Sequence, residues 1–136
     1  MQSKIKFFIF IIAAAFLFSG MAHKPKIFGI NLKVDFGPAT DPSSGRPAGK
    51  PAFEDTHFQI EKDTTAKEAV SQVYPVLSGK GCCSLREVIA IDGVSIDPMK
   101  NRWWVCELNG ARKFSPQKKK LKSGDVVAWK YIQNAQ

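Results

Sequence analysis

The chain has 136 residues and a formal net charge of +8, and 44% of its residues are hydrophobic. Without the first 22 residues, which hold two lysines and no acidic residue, 114 residues with a net charge of +6 remain. These values suit one small basic domain, and they exclude a polytopic membrane protein, a coiled coil, a fibrous protein and a wholly disordered chain.

The N-terminus has the pattern of a secretory signal peptide. Lys4 and Lys6 form a positive region, residues 7–18 lack a polar side chain, and small residues lead up to Ala22. A spanning helix needs roughly 20 apolar residues, so this run is short for the alternative of an uncleaved anchor. We therefore expect residues 1–22 to be a signal peptide that is cleaved near Ala22.

Cleavage would release residues 23–136 as a single domain without a stable membrane anchor. No second apolar run follows in the sequence. The expected location is the periplasm or the extracellular space, and the sequence does not choose between the two.

The first predicted elements form a hairpin. Residues 28–36 alternate between apolar and polar side chains, which predicts a strand with one buried and one solvated face. A loop rich in proline and glycine follows over residues 37–56. Phe58 and Ile60 then alternate with polar residues and predict the second strand.

One helix is predicted after this hairpin. Thr65 and Glu68 have the spacing of a capping box, in which each side chain satisfies a free backbone amide of the first turn. Apolar residues recur at helical spacing from Ala66 to Tyr74. Pro75 has no amide proton, so the helix should end near Tyr74.

Three further strands are predicted beyond the helix, and glycine-containing turns separate them. The strands are residues 85–91, 103–108 and 126–132, and the turns are Asp92-Gly93, Asn109-Gly110 and Ser123-Gly124-Asp125. A single helix cannot cover both faces of such a sheet. The expected class is therefore α+β, with a mixed sheet of about five strands and one helix packed across one face.

Three short motifs follow one another in the C-terminal third. The sequence Asn-Arg-Trp-Trp begins at Asn101, Glu-Leu-Asn-Gly ends at Gly110, and Leu-Lys-Ser-Gly-Asp-Val-Val-Ala-Trp spans residues 121–129. With these motifs the C-terminal third resembles the transcobalamin-like C-terminal domain family, and the order of elements resembles a β-grasp domain. The turn Ile-Asp-Gly-Val at residues 91–94 resembles the family's Ile-Asn-Gly-Val. The resemblance covers residues 28–132 and implies the fold more strongly than the ligand, for which it suggests a cobalamin-like cofactor by analogy only.

Three cysteines are unusual in a chain that is expected to meet an oxidising environment. We expect a disulfide between Cys106 and either Cys82 or Cys83, which the sequence leaves open. Such a bridge would close a loop of about two dozen residues and stabilise the fold by roughly 3 kcal/mol. The alternative is that all three are buried small apolar residues.

A basic segment between the last two predicted strands is the first candidate binding feature. Its six cations lie within eleven residues: Arg112, Lys113, Lys118, Lys119, Lys120 and Lys122. One interpretation is a solvated loop that aids solubility. The other is attraction to an anionic surface polymer.

The second candidate binding feature is Arg102-Trp103. If Trp104 faces the core, Trp103 must face outwards, because successive side chains of a strand alternate. An exposed tryptophan beside an arginine can stack on a flat ligand. The alternative is that Trp103 packs under the long loop.

The sequence favours a binding protein over an enzyme. It contains no nucleophile elbow, zincin helix or phosphate loop, and adjacent cysteines lack the spacing that wraps a zinc ion, so we assign neither a catalytic residue nor a metal site. We expect a non-catalytic module that binds a cobalamin-like cofactor or an anionic polymer, and no nucleic acid. The alternative is an accessory subunit that binds an envelope protein.

Overall fold

The computed structural model describes residues 24–37, 39, 51–79 and 88–134. Its helix and strands are β1 (Ile27–Asp35), β2 (Phe53–Glu61), α1 (Ala66–Val73), β3 (Val76–Ser78), β4 (Val88–Ile91), β5 (Val94–Ser95), β6 (Arg102–Leu108) and β7 (Val126–Gln133). A single 3-10 turn, Pro98–Lys100, precedes β6. The expected α+β class is confirmed. Within these ranges no helix has the length and apolar character needed to cross a membrane.

The strands form two sheets. The larger sheet has the order β2-β1-β7-β6, in which β1 and β7 are parallel and the other neighbours are antiparallel. The smaller sheet, β3-β4-β5, is antiparallel. The sequence pattern had placed the strand that ends at residue 91 in one sheet with the others. It pairs instead with β3 and β5, which are too short to show a period of two.

One hydrophobic core joins the larger sheet to the helix. The alternation predicted for β1 is confirmed, because Ile30, Leu32, Val34 and Phe36 are buried while the residues between them are not. The buried face of α1, formed by Ala66, Ala69 and Val70, belongs to the same core. The inward side chains of β7 complete it: Val127, Trp129 and Tyr131.

The second strand is longer than its sequence pattern indicated. β2 begins at Phe53, so the loop expected over residues 37–56 ends by residue 52, and most of it lies outside the described residues. Charged side chains at the start of this strand interrupt the alternation of apolar and polar residues from which the strand was predicted. The sheet accommodates them because Asp55 forms an ion pair with Lys33 at 3.5 Å, and Glu54 accepts a hydrogen bond from the Tyr74 hydroxyl.

The helix boundaries agree with the sequence pattern. The Thr65 hydroxyl accepts a hydrogen bond from the Glu68 amide at 3.3 Å, and a Glu68 carboxylate oxygen accepts one from the Thr65 amide at 2.8 Å. The hydrogen bond from the Thr65 amide, and then one that the Thr65 hydroxyl donates to the same carboxylate oxygen at 2.8 Å, lower the pKa of Glu68 below its ordinary value. The helix ends at Val73, two residues before Pro75.

Two predicted turns have the geometry that their sequences require. Asp92 and Gly93 both have positive φ, as do Asn109 and Gly110. A two-residue hairpin turn of type I′ needs positive φ at both positions, and Asn-Gly or Asp-Gly supplies it at the lowest cost. The first turn joins β4 to β5, and the second follows β6.

Candidate functional site

Strand β6 is an edge strand of the larger sheet, with β7 on one side. Its side chains alternate as predicted. Cys106 and Leu108 are buried, and the Trp104 ring packs against the core. Trp103 lies on the opposite face, half-buried, and its indole N–H donates to the Asn101 side-chain oxygen at 2.9 Å.

A cavity of about 690 Å³ runs along this strand. Its walls come from β6, the segment that follows the Asn109-Gly110 turn, and parts of β4, β7 and the C-terminus. The lining residues are Val88, Ile96, Trp103, Trp104, Val105, Cys106, Arg112, Phe114, Ser115, Pro116, Gln117, Lys118, Trp129 and Asn134. Three tryptophans and one phenylalanine make the wall aromatic, and none of these residues carries a carboxylate.

The cation Arg112 is held in place by a buried carboxylate on the outer face of β6. Its Nε donates to Glu107 at 2.7 Å, and Lys130 donates to the other oxygen of Glu107, also at 2.7 Å. The side chain of Glu107 is only 10% exposed. The hydrogen bonds from Lys130 and Arg112 lower the pKa of Glu107, so it is an anion at neutral pH. The pairing uses the Arg112 Nε and leaves its terminal nitrogens for another partner.

Lys118 is the second cation of the cavity. It is exposed, and its ammonium forms no ion pair within the described part of the chain. Arg112 and Lys130 share the single negative charge of Glu107, so together with Lys118 they leave the cavity with a net positive charge. Such a surface attracts anions.

Trp129 contributes an unpaired donor next to this cavity. Its side chain belongs to the core, and the residue is 3% exposed. Its indole Nε1 is buried and has no hydrogen-bond partner within the described residues. Buried donors are nearly always paired in proteins, so this one marks a place where an acceptor would be stabilised.

A second, shallower cavity of about 570 Å³ adjoins the first. The two share Phe114, Ser115 and Lys118. The second cavity adds Lys113 and Lys119 to the wall. The basic segment therefore faces two neighbouring depressions.

The structure brings together some of the predicted binding residues and separates others. Trp103, Arg112 and Lys118 line the first cavity, and Lys113 and Lys119 line the second with Lys118. Three predicted residues line neither. These are Arg102, whose Nε donates to Gln133 at 3.2 Å, Lys120, which forms an ion pair with Asp63 at 3.1 Å, and Lys122.

Sequence reasoning did not find several residues of the cavity wall. Val88 and Asn134 are distant in sequence from Trp103, Ile96 lies seven positions before it, and none of the three carries a recognisable signal. Phe114 was visible as an apolar residue among the lysines. It packs against the core from within the basic segment and so contributes apolar surface beside the cations.

Only one of the three cysteines of the predicted disulfide lies among the described residues. Cys82 and Cys83 lie outside the described residues, and Cys106 is buried as a free thiol in the part that is described. Burial, and then the neighbouring Glu107, raise the pKa of the Cys106 thiol well above its ordinary value. The disulfide stays a prediction.

Metal ligands are not clustered in the described ranges. No group of three or more histidine, cysteine, aspartate and glutamate residues there could hold a metal ion. His57 lies on the outer face of β2 and shares a hydrogen bond of 2.7 Å with the Asn31 side-chain oxygen.

No protein-family model matches the chain, and no curated protein matches it in sequence. Solved structures do match its fold. A candidate metal-binding protein from Ruminococcus gnavus ATCC 29149 superposes with a TM-score of 0.52 and 15% identity, over 79% of this chain and 99% of that one.

Haptocorrin in complex with Cbi is a second structural neighbour. It superposes with a TM-score of 0.51 and 11% identity, and the match covers 79% of this chain and 26% of haptocorrin. At such identities the likeness is one of fold alone. The resemblance drawn from the sequence is thus supported as a distant relationship in fold between this chain and a protein of the transcobalamin type.

Proposed function

We propose that this chain is a small exported, non-catalytic binding module that holds a flat anionic small molecule in the cavity beside β6. The observation that carries the proposal is the composition of the cavity wall. Four aromatic rings and two cations line one concave surface, and the one carboxylate that pairs with Arg112, Glu107, is shared with Lys130.

The size and chemistry of the cavity support a small-molecule ligand. Ligand pockets of proteins measure about 300–1,000 Å³ and combine apolar walls with a few polar groups that fix orientation. The indole rings offer flat surfaces for stacking. Arg112 is already oriented by Glu107, so little side-chain entropy is lost when an anion binds to its terminal nitrogens.

The two structural neighbours support binding at the level of fold analogy. One is described by metal binding and the other was solved with Cbi bound. A cobalamin-like cofactor is therefore a candidate ligand, although the chain matches only a quarter of haptocorrin. The lysines of the second cavity favour an anionic ligand, whether or not that ligand contains a corrin ring.

Two probes with the same ring test this proposal. 2-Naphthoate and 2-naphthalenemethanol differ only in charge, and equilibrium dialysis measures their dissociation constants. We expect the naphthoate to bind more tightly at low salt. The preference should shrink in 0.5 M NaCl, because salt screens exposed charges over a few ångströms. Cyanocobalamin in a parallel titration tests the corrinoid candidate by its visible absorption.

Matched variants locate the binding site. Lys118→Ala should weaken naphthoate binding about fivefold, the effect of an exposed charge pair worth roughly 1 kcal/mol. Lys122→Ala removes an equally exposed lysine that lines neither cavity and should change nothing. Trp103→Ala should weaken both probes, because it removes a stacking surface. Failure of both probes to bind at millimolar concentration, or equal losses in the two lysine variants, would overturn the proposal.

A further inference from the structure

The edge of β6 exposes backbone groups to the cavity. The Asn134 amide donates to the Asn101 carbonyl, and the Asn109 amide donates to the Val126 carbonyl. In an antiparallel pair, hydrogen-bonded and non-hydrogen-bonded positions alternate. The odd-numbered residues of β6 therefore bond to β7, and the even-numbered residues direct their N–H and C=O groups away from the sheet.

At each end of this edge, the outward backbone groups already form hydrogen bonds with another part of the chain. At one end, Arg102 exchanges two backbone hydrogen bonds with Asp97, at 2.9 and 3.0 Å. At the other, Leu108 exchanges two with Ala111, both at 2.9 Å. Only the N–H and C=O groups of Trp104 and Cys106 are left, and no described residue pairs with them.

These four backbone groups lie beside the cavity that Trp104 and Cys106 line. Unpaired backbone groups at a sheet edge can pair with a further strand. The buried indole N–H of Trp129, the cross-strand neighbour of Cys106, is a fifth group at the same place with no partner among the described residues. A flat ring with a carboxylate would satisfy none of the backbone carbonyls, since it lacks a donor.

We infer that the cavity binds a short acidic peptide or N-acyl amino acid, which pairs as a strand with the backbone of Trp104 and Cys106. The inference rests on the proposed function, because the carboxylate of this ligand would bind to Arg112 and Lys118. Addition of a strand to a sheet edge is an established mode of peptide recognition. The edge is open over two residues only, so a long strand from a folded partner would meet Asp97 or Ala111.

The direct test uses one probe and its N-methylated analogue. 2-Naphthoyl-Gly-Gly carries two amide N–H donors, and 2-naphthoyl-Sar-Sar has the same ring, carbonyls and charge without them. We expect the first to bind at least tenfold more tightly than the second in equilibrium dialysis. A peptide that carries Gly-Gly in the middle of ten residues should bind more weakly than the short probe.

Backbone NMR locates the contact, with a control inside the same strand. The amide protons of Trp104 and Cys106 should be protected from hydrogen exchange only when 2-naphthoyl-Gly-Gly is bound. The amide proton of Val105, which faces β7, should be protected in both states. The indole proton of Trp129 should shift on binding more than that of Trp103, which already donates to Asn101.

The outcomes separate this inference from the proposed function. If 2-naphthoate, 2-naphthoyl-Gly-Gly and 2-naphthoyl-Sar-Sar bind equally well, the backbone pairing is wrong and the anionic cavity stands. If none of the three binds, both proposals are wrong. A tenfold preference without protection of Trp104 and Cys106 would also overturn the inference, because the donors would then bind elsewhere.

Discussion

Glu107 is a buried carboxylate that orients a charged side chain of the cavity wall. It lies on the outer face of β6, almost out of water, and the cations Arg112 and Lys130 approach it from either side at 2.7 Å. A buried charge is tolerated when it is paired and hydrogen-bonded. Here the pair also fixes the direction of Arg112, which lines the cavity.

Glu107→Gln should lower the free energy of unfolding at pH 7 by about 1 kcal/mol, because two partly exposed cations lose their anion. The pKa of Glu107 is lowered in the folded state, so this stabilisation is complete above its ordinary value and is lost as the pH falls through the folded value. Urea unfolding should therefore show a difference between variant and wild type that shrinks as the pH falls below the ordinary pKa of glutamate. Glu61→Gln, at an exposed position of β2, should show little difference at any pH. A difference that stays unchanged over the whole acid range in which the protein is folded would exclude the charge as its cause.

The cysteines can be counted chemically. If one disulfide joins Cys106 to Cys82 or Cys83, the denatured, unreduced protein should give one free thiol with Ellman's reagent. Cys106→Ser should then give two, because the cysteine bonded to Cys106 is released and the third cysteine is free already. Three thiols in the wild-type protein would exclude the disulfide.

At the scale of elements, tight turns set the register of the C-terminal strands. Gly110 has a φ of 81°, and a Cβ added there would meet no atom within 4 Å. Gly37 has a φ of 41°, and a Cβ added there would lie 2.5 Å from the Tyr131 carbonyl oxygen. Gly110 is needed because its backbone has a positive φ. Gly37 is needed for the same reason and also because a side chain there would clash with the Tyr131 carbonyl oxygen.

We therefore expect Gly110→Ala to cost about 1 kcal/mol of unfolding free energy, the penalty of a left-handed conformation. Gly37→Ala should cost about 3 kcal/mol, because the backbone of β7 must also move. Chemical denaturation of the two variants measures both values. Equal losses would show that the contact with Tyr131 is relieved without cost.

At the scale of the whole molecule, two residues of the larger sheet hold the smaller sheet. The indole of Trp104 donates to the Val94 carbonyl at 2.9 Å, and the Tyr131 hydroxyl donates to the Ser95 carbonyl at 2.7 Å. The two rings also pack against each other, with centroids 5.2 Å apart. The smaller sheet thus depends on hydrogen bonds from a neighbour for its position.

Tyr131→Phe should loosen the smaller sheet selectively. It removes one hydrogen bond worth about 1 kcal/mol and leaves the ring in the core. Hydrogen exchange should become faster in β4 and β5, whereas β1 and β2 should keep their protection, since local opening can occur without global unfolding. An equal change in all four strands would show that the two sheets unfold as one unit.

The sequence by itself determined what depends on neighbouring residues. The alternation in β1 and β6 assigned Val34 to the core and Trp103 to the opposite face, because successive side chains of a strand point to opposite sides. The capping box of Thr65 and the turn at Asn109 were likewise readable, since their hydrogen bonds and dihedral angles involve residues a few positions apart.

Only the tertiary structure decided which strands pair and which edge is left open. Strand β7 lies between β1 and β6, and this choice among distant segments leaves two residues of β6 without backbone partners in the described ranges. The same packing buries Trp129, whose indole N–H has no hydrogen-bond partner among those residues. Pairing between strands depends on the burial of the whole chain, so the open edge and the cavity beside it have no local signal in the sequence.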